Sequence, residues 1–207
     1  MLKLLGKSSS INVRKVQWLC AEMQLGYEQE QWGSGFSSTS VPEFTALNPN
    51  AMVPVILDDG FVLWESNSIC RYLAGRQARH DLLPLQSQDR ARVEQWMDWQ
   101  ATELNNAWRY AFMALVRKSP AHNDAAAVAA SVGNWNRHME MLDAQLAKTG
   151  AFVAGEQFTL ADIVLGLSAN RWYMTPMNRP QLPAVQAYFD RLSQRPPFLQ
   201  HGRNGTP

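Results

Sequence analysis

The sequence predicts an α/β plus all-α protein, in which a small mixed unit is followed by a bundle of helices. Three observations lead there. Over the first part of the chain, short β-rich apolar runs alternate with segments of helical periodicity. From Gln88 onward every periodic segment is helical. Between the two, Arg76 to Ser87 reads as a connector with Pro84 in its middle, which places the units at residues 1–77 and 87–200.

Leu2 to Leu5 is a short apolar strand ending at Gly6. Lys7 to Ser10 is a polar turn, after which Val13, Val16, Leu19, Cys20 and Met23 repeat at three- and four-residue spacing, the signature of a helix. Gly26 stops that helix, and Tyr27 to Gln31 reads as a second strand. Trp32 to Ser40 is a Gly- and Ser-rich loop, and Pro42 to Leu47 is a short helix ending before Asn48-Pro49.

Leu47 to Leu73 carries the densest information. Val53 to Leu57 is an apolar β-rich run, Asp58-Asp59-Gly60 is turn chemistry, and Phe61 to Trp64 is a second β-rich run. Glu65-Ser66 then opens a helix marked by Ile69, Tyr72 and Leu73. Pro54 is the anomaly, because proline cannot donate to a ladder and belongs at an edge, a bulge or a strand start. A proline beside a strand and a helix N-terminus carrying Glu-Ser together suit a peptide-like ligand. The helix end offers unpaired N–H groups to a carboxylate, and Glu65 offers negative charge to an ammonium. A plain edge strand and capped helix is the alternative reading of the same residues. The complete order β-α-β-α-β-β-α is thioredoxin-like.

In the second unit, Val93, Met97, Leu104, Trp108, Ala111 and Leu115 form the stripe of one long helix that closes before Pro120. Asn123 to Lys148 is a second long helix, ended by Gly150. Thr159-Leu160-Ala161-Asp162 has the form of a capping box opening a third helix. That helix is apolar nearly all round and is therefore expected to be central. Leu182 to Gln194 is a fourth helix, stopped by Pro196-Pro197, and the tail from Gln200 is expected to be loose.

Composition narrows the function. A hydrophobic fraction of 46% and a charged fraction of 18% describe an ordinary globular chain. A net charge of +1 argues against nucleic acid or an anionic membrane as a bulk partner. No segment approaches a membrane span, and the opening MLKLLGK is too short to serve as a signal peptide. Two cysteines without metal or CxxC spacing suggest a reduced, cytoplasmic protein. The four histidines are scattered, which gives a zinc site little support.

In a thioredoxin-like unit the N-terminus of the first helix is where a thiolate is stabilised. This chain places Ser8-Ser9-Ser10-Ile11-Asn12 there, with no cysteine. Any thiolate must therefore arrive with a ligand. The Val53-Pro54 pair, the helix opening ESNSICRYL, the run Ser10-x-Asn12-Val13-x-Lys15-Val16 and the segment GEQFTLADI together resemble the glutathione S-transferase family, in its bacterial, serine-type, theta-like form, across nearly the whole chain.

The resemblance implies that glutathione is a cosubstrate, with no tightly bound cofactor and no metal. It implies that Ser10 donates to the glutathione sulfur and that Asn12 adds a second donor, with Ser8 and Ser9 as alternatives and plain helix capping as the competing role for Ser10. It implies a cis Val53-Pro54 peptide whose Val53 backbone meets the cysteinyl part, and a Glu65-Ser66 pair that binds the γ-glutamyl group. Met52 departs from the pattern. It stands where many relatives place a cation for the glycyl carboxylate, leaving Asn50 or an N–H group for that contact.

An electrophile pocket is expected around Trp108, Arg109 and Phe112, with Met113, Arg117, Trp172 and Tyr173 nearby. Arg109 could instead be a surface residue paired with Glu103 or Asp98. Cys20 and Cys70 fall in helix patterns and are expected to be buried and inert. The implied activity is transfer of glutathione to a small electrophile by a detoxifying homodimer, with Trp96 and Trp99 facing either core or partner. A non-catalytic binding protein of the same fold, or a glutathione-dependent isomerase or peroxidase, would use the same site.

Overall fold

The structure is a computed structural model that describes residues 1–207. Its first part contains β1 (Leu2–Leu5), α1 (Ile11–Glu22), β2 (Glu28–Glu30), α2 (Pro42–Thr45), β3 (Val55–Asp58), β4 (Phe61–Trp64) and α3 (Ser66–Arg76). The sheet order is β2-β1-β3-β4. β1 pairs parallel with β2 and antiparallel with β3, placing Leu4 opposite Ile56, and β3 pairs antiparallel with β4. This is the thioredoxin-like arrangement. Pro54 lies just before β3 and not within it, so no ladder bond is lost.

Strand alternation distributes the side chains between two cores. Leu4 and Ile56 join the main cluster with α1 and α3, whereas Leu5 and Val55 meet Phe44 of α2 on the opposite face.

The helical part contains α4 (Ser87–Trp99), α5 (Asn105–Leu115), α6 (Ala125–Thr149), α7 (Leu160–Met174), α8 (Pro183–Leu192) and α9 (Pro196–His201). No helix is long and apolar enough to cross a membrane. α7 is the central helix, buried through most of its length. Its opening is tied by Asp162, whose carboxylate accepts from Thr159 N at 2.8 Å, Thr159 Oγ1 at 3.1 Å and Val153 N at 2.9 Å.

Two expectations need correction. The single long helix predicted up to Leu115 is interrupted by a π-helical turn, Gln100–Leu104. The wider turn accompanies a buried polar side chain at Gln100, which a regular apolar stripe does not anticipate. The tail is not loose either. Pro196 opens α9, where proline's missing N–H costs nothing. The segment beyond folds back so that the carbonyls of Gly202, Thr206 and Pro207 accept from the buried Arg14 guanidinium, while Asn170 donates to Thr206 O.

The two parts share one core. Trp18 of α1 packs on Phe158 and Phe198, and its indole N–H donates to Glu22 at 2.8 Å. Gly166 makes the close approach of α7 possible, since a Cβ there would meet Leu192 at 2.7 Å and Trp18 at 2.9 Å. Arg195 pairs with Glu22 at 2.7 Å across the junction.

Candidate active site

The turn from β1 into α1 is shaped by Gly6, at φ 147°. A Cβ at this position would lie 2.5 Å from Val13 and 3.0 Å from Val53. Glycine therefore lets the turn close against the Val53 loop, bringing the start of α1 beside it. Ser10 is the N-cap residue of α1 by backbone conformation, yet its side chain makes no capping hydrogen bond. The capping role weighed for it is therefore not the one its hydroxyl performs. Ser8 is engaged elsewhere, accepting from Gln17 Nε2 at 2.9 Å and from Gln29 Nε2 at 3.2 Å. Ser10 is half-buried and faces a cleft, and Ser9 is exposed.

The Val53-Pro54 peptide is cis. The loop before it is held by Asn48, a buried residue for which the sequence suggested no role. Its amide donates to Met52 O at 2.8 Å and accepts from Asn50 N at 3.0 Å. Its local signal was an Asx turn ahead of a proline. Across from this loop, Glu65 caps α3 at φ 70°, with no side-chain cap. The first intrahelical bond of α3 runs from Ile69 N to Glu65 O. The preceding N–H groups at its N-terminus have no intrahelical acceptor, the usual condition at a helix start.

Two adjoining clefts result. The smaller, about 120 Å³, is lined by Asn12, Asn48, Asn50, Met52, Val53, Pro54, Glu65 and Ser66. The larger, about 670 Å³, carries Ser10, Asn12, Met52 and Val53 on one wall and Trp108, Arg109 and Phe112 on the other. Asn12, Met52 and Val53 are common to both clefts. All residues expected to hold glutathione thus surround the smaller cleft, and all three expected to face the electrophile line the larger. Arg109 is not paired with Asp98, which binds Arg71 instead. Met113 and Arg117 also line the larger cleft. Trp172 and Tyr173 do not. They pack edge-to-face beside a separate surface depression near α8.

The mixed αβ unit, with a cis proline before β3, thus joins the helical bundle over a two-part cleft. Residues 1–75 match the model of the glutathione S-transferase N-terminal domain, and residues 105–196 match that of the glutathione S-transferase C-terminal domain. The chain belongs to the glutathione S-transferase family. Glutathione S-transferase GstB of Escherichia coli strain K12 is 36% identical over 198 residues, covering 95% of both chains. Glutathione S-transferase 3 of Zea mays is 31% identical over 213 residues, covering 95% of this chain and 91% of its own. Among solved structures, the theta class glutathione S-transferase of Xanthomonas axonopodis pv. citri with glutathione bound superposes with a TM-score of 0.92 at 34% identity. That match covers 100% of this chain and 99% of the other.

Two buried cations of this transferase-family chain have placements that the sequence did not reveal. Lys15 of α1 is buried, and its Nζ donates to Gln100 Oε1 at 2.8 Å and Asn67 Oδ1 at 3.1 Å. Burial pushes its pKa down to about 8. Arg171 of α7 is buried at the back of the larger cleft. The signals were weak but present. Lys15 stands four residues from both Ile11 and Leu19, on the inward face, and Arg171 is a cation in the last turn of a mostly apolar helix. Cys20 and Cys70 are buried, and burial pushes both thiols up to about 12, so neither is a nucleophile at neutral pH.

Proposed function

We propose that the protein transfers glutathione to a small electrophile, forming the thiolate in the groove between the Pro54 loop and the start of α3. The N–H groups and Ser66 hydroxyl at the α3 N-terminus receive the γ-glutamyl carboxylate, and Glu65 receives the ammonium. The Val53 backbone meets the cysteinyl segment, and Asn50 takes the glycyl end in place of the missing cation at Met52. The sulfur then points toward Ser10, with Asn12 at its side.

Donation to a charged sulfur favours the thiolate, and each unit of lowered pKa corresponds to about 1.4 kcal/mol. The thiol proton leaves to solvent, a sulfur lone pair forms the C–S bond, and the leaving group departs with the bonding pair. The electrophile occupies the wall of Trp108, Arg109 and Phe112. We assign the glutathione-binding unit to residues 1–77 and the helical unit to 87–200, and we take the working protein as a cytoplasmic homodimer with a detoxifying role.

The observation that carries this reading is the Ser10 hydroxyl, released from capping and facing the cleft at the start of α1. Calorimetric titration with glutathione beside a chlorodinitrobenzene assay tests it. Saturable binding with turnover is expected. Binding without turnover would favour a non-catalytic role, and no binding would remove the assignment of both clefts.

A further inference from the structure

The larger cleft is strongly one-sided in charge. Lys7, Arg109, Arg117 and Arg171 line it, with no Asp or Glu among its lining residues. Arg171 is the one among them locked in place. It is 3% exposed, with its guanidinium carbon 4.1 Å from the Phe112 ring centroid and 4.5 Å from that of Trp108. The rings offset part of the cost of burying a cation. Its Nε is buried without a hydrogen-bond partner.

The neighbouring Arg14 has its charge taken up by tail carbonyls and the Asn204 side chain. Arg171 has no such set of acceptors. Burial, together with the charges of Arg14 and Arg117, pushes Arg171 down to about 9. It remains a cation at neutral pH, in surroundings that favour an arriving anion.

Resting on the transferase reading above, we propose that the electrophile carries a carboxylate, which Arg171 binds with Arg117 while its flat apolar body lies against Trp108 and Phe112. A guanidinium stacked on two rings presents a fixed fork of donors, which suits a planar carboxylate. An uncharged electrophile would leave the fork unpaired. The chemistry at the sulfur is unchanged: the C–S bond forms, the carbon–halogen bond of a halide substrate breaks, and halide leaves with the electron pair.

The test compares 4-(bromomethyl)benzoate with 4-(bromomethyl)benzamide, each rate corrected for its uncatalysed reaction with glutathione. The expected kcat/KM ratio favours the carboxylate by at least about tenfold. Arg171→Met should bring that ratio close to one, and Arg117→Met should reduce it part-way. A ratio near one in the wild type overturns the proposal, as does a tenfold ratio that survives in folded Arg171→Met. If Arg171→Met fails to fold, Arg171→Lys takes its place, and the ratio should fall because the fork is lost.

Binding of unreactive 4-methylbenzoate against 4-methylbenzamide, by calorimetry, reads the site without turnover. Equal affinities overturn the proposal whether or not transfer occurs, whereas turnover of the benzamide alone sustains the transferase reading. Glutathione and its glycyl ethyl ester distinguish the source of the carboxylate. A KM rise in Arg171→Met for glutathione but not for the ester, without any benzoate preference, would assign Arg171 to the thiol donor and overturn the proposal.

Discussion

The ammonium of Lys15 lies 2.8 Å from Oε1 of Gln100, so a cation on the first helix of the αβ unit is held by the π-helical turn of the helical unit. The contact belongs to a longer chain. Asn67, the other acceptor, donates to Met97 O at 2.8 Å. Gln100 donates to Asn105 Oδ1 at 2.9 Å, which also accepts from the Trp108 indole at 3.0 Å. The polar chain thus runs from Asn67, next to Ser66 of the smaller cleft, to Asn105 and Trp108 on the wall of the larger. No carboxylate hydrogen-bonds to Lys15, and neutral amide oxygens compensate its charge only in part.

Stability should therefore depend on pH in a way traceable to Lys15. Unfolded, the side chain keeps its proton up to the ordinary lysine value of 10.5, whereas folded it releases it near 8. Between these values the unfolded chain binds more protons, so folding becomes more favourable as pH rises, by up to about 3 kcal/mol. Below pH 8 both states are protonated and the burial cost is constant. Urea unfolding of wild type and Lys15→Met from pH 7 to 10.5 should show the wild type gaining on the variant across the upper part of that range. Parallel curves would contradict the assignment.

Glu65 stands at the mouth of the smaller cleft, exposed and without a resolved ion pair. Its proposed task is to meet the ammonium of glutathione. Glu65→Gln should weaken glutathione binding about tenfold, the scale of one charge-assisted hydrogen bond, while leaving the electrophile KM nearly unchanged. Titration calorimetry measures the first quantity and steady-state kinetics the second. Equal effects on both substrates would point to a general disturbance of α3.

Asp162 organises the start of α7, well away from the clefts. Asp162→Ala would strand two buried backbone donors, Val153 N and Thr159 N, at a cost of about 2–4 kcal/mol. Denaturant midpoints should fall accordingly, while kcat at a temperature where the variant remains folded stays close to wild type. A large loss of kcat in the folded variant would give Asp162 a part in the chemistry.

Much of this architecture is legible in the sequence because local patterns and tertiary demands agree. The β-rich runs around Pro54, the Glu65-Ser66 helix start and the TLAD opening of α7 each satisfy short-range rules that the fold then uses. What escaped is what depends on distant partners. Period counting averages over the π turn at Gln100, whose reason lies on α1. The polar tail reads as loose until Arg14, far away in sequence, proves to need its carbonyls. For Ser10 the residues leave a thiol donor and a plain cap as alternatives, and only the three-dimensional arrangement shows that its hydroxyl makes no capping bond. Arg171 passed unnoticed because its importance comes from what surrounds it and from having no acid beside it.

The central claim is that the protein supplies no reactive sulfur of its own and lowers the pKa of a borrowed one at the start of α1. The most direct measurement is the pKa of the glutathione thiol bound to wild type and to Ser10→Ala, followed by thiolate absorbance in the ultraviolet. In the wild type it should fall at least about one unit below the ordinary thiol value near 8.5, and in Ser10→Ala it should return most of the way. An identical depressed value in the two proteins would contradict the role given to Ser10, and an undepressed value in both would contradict the claim itself.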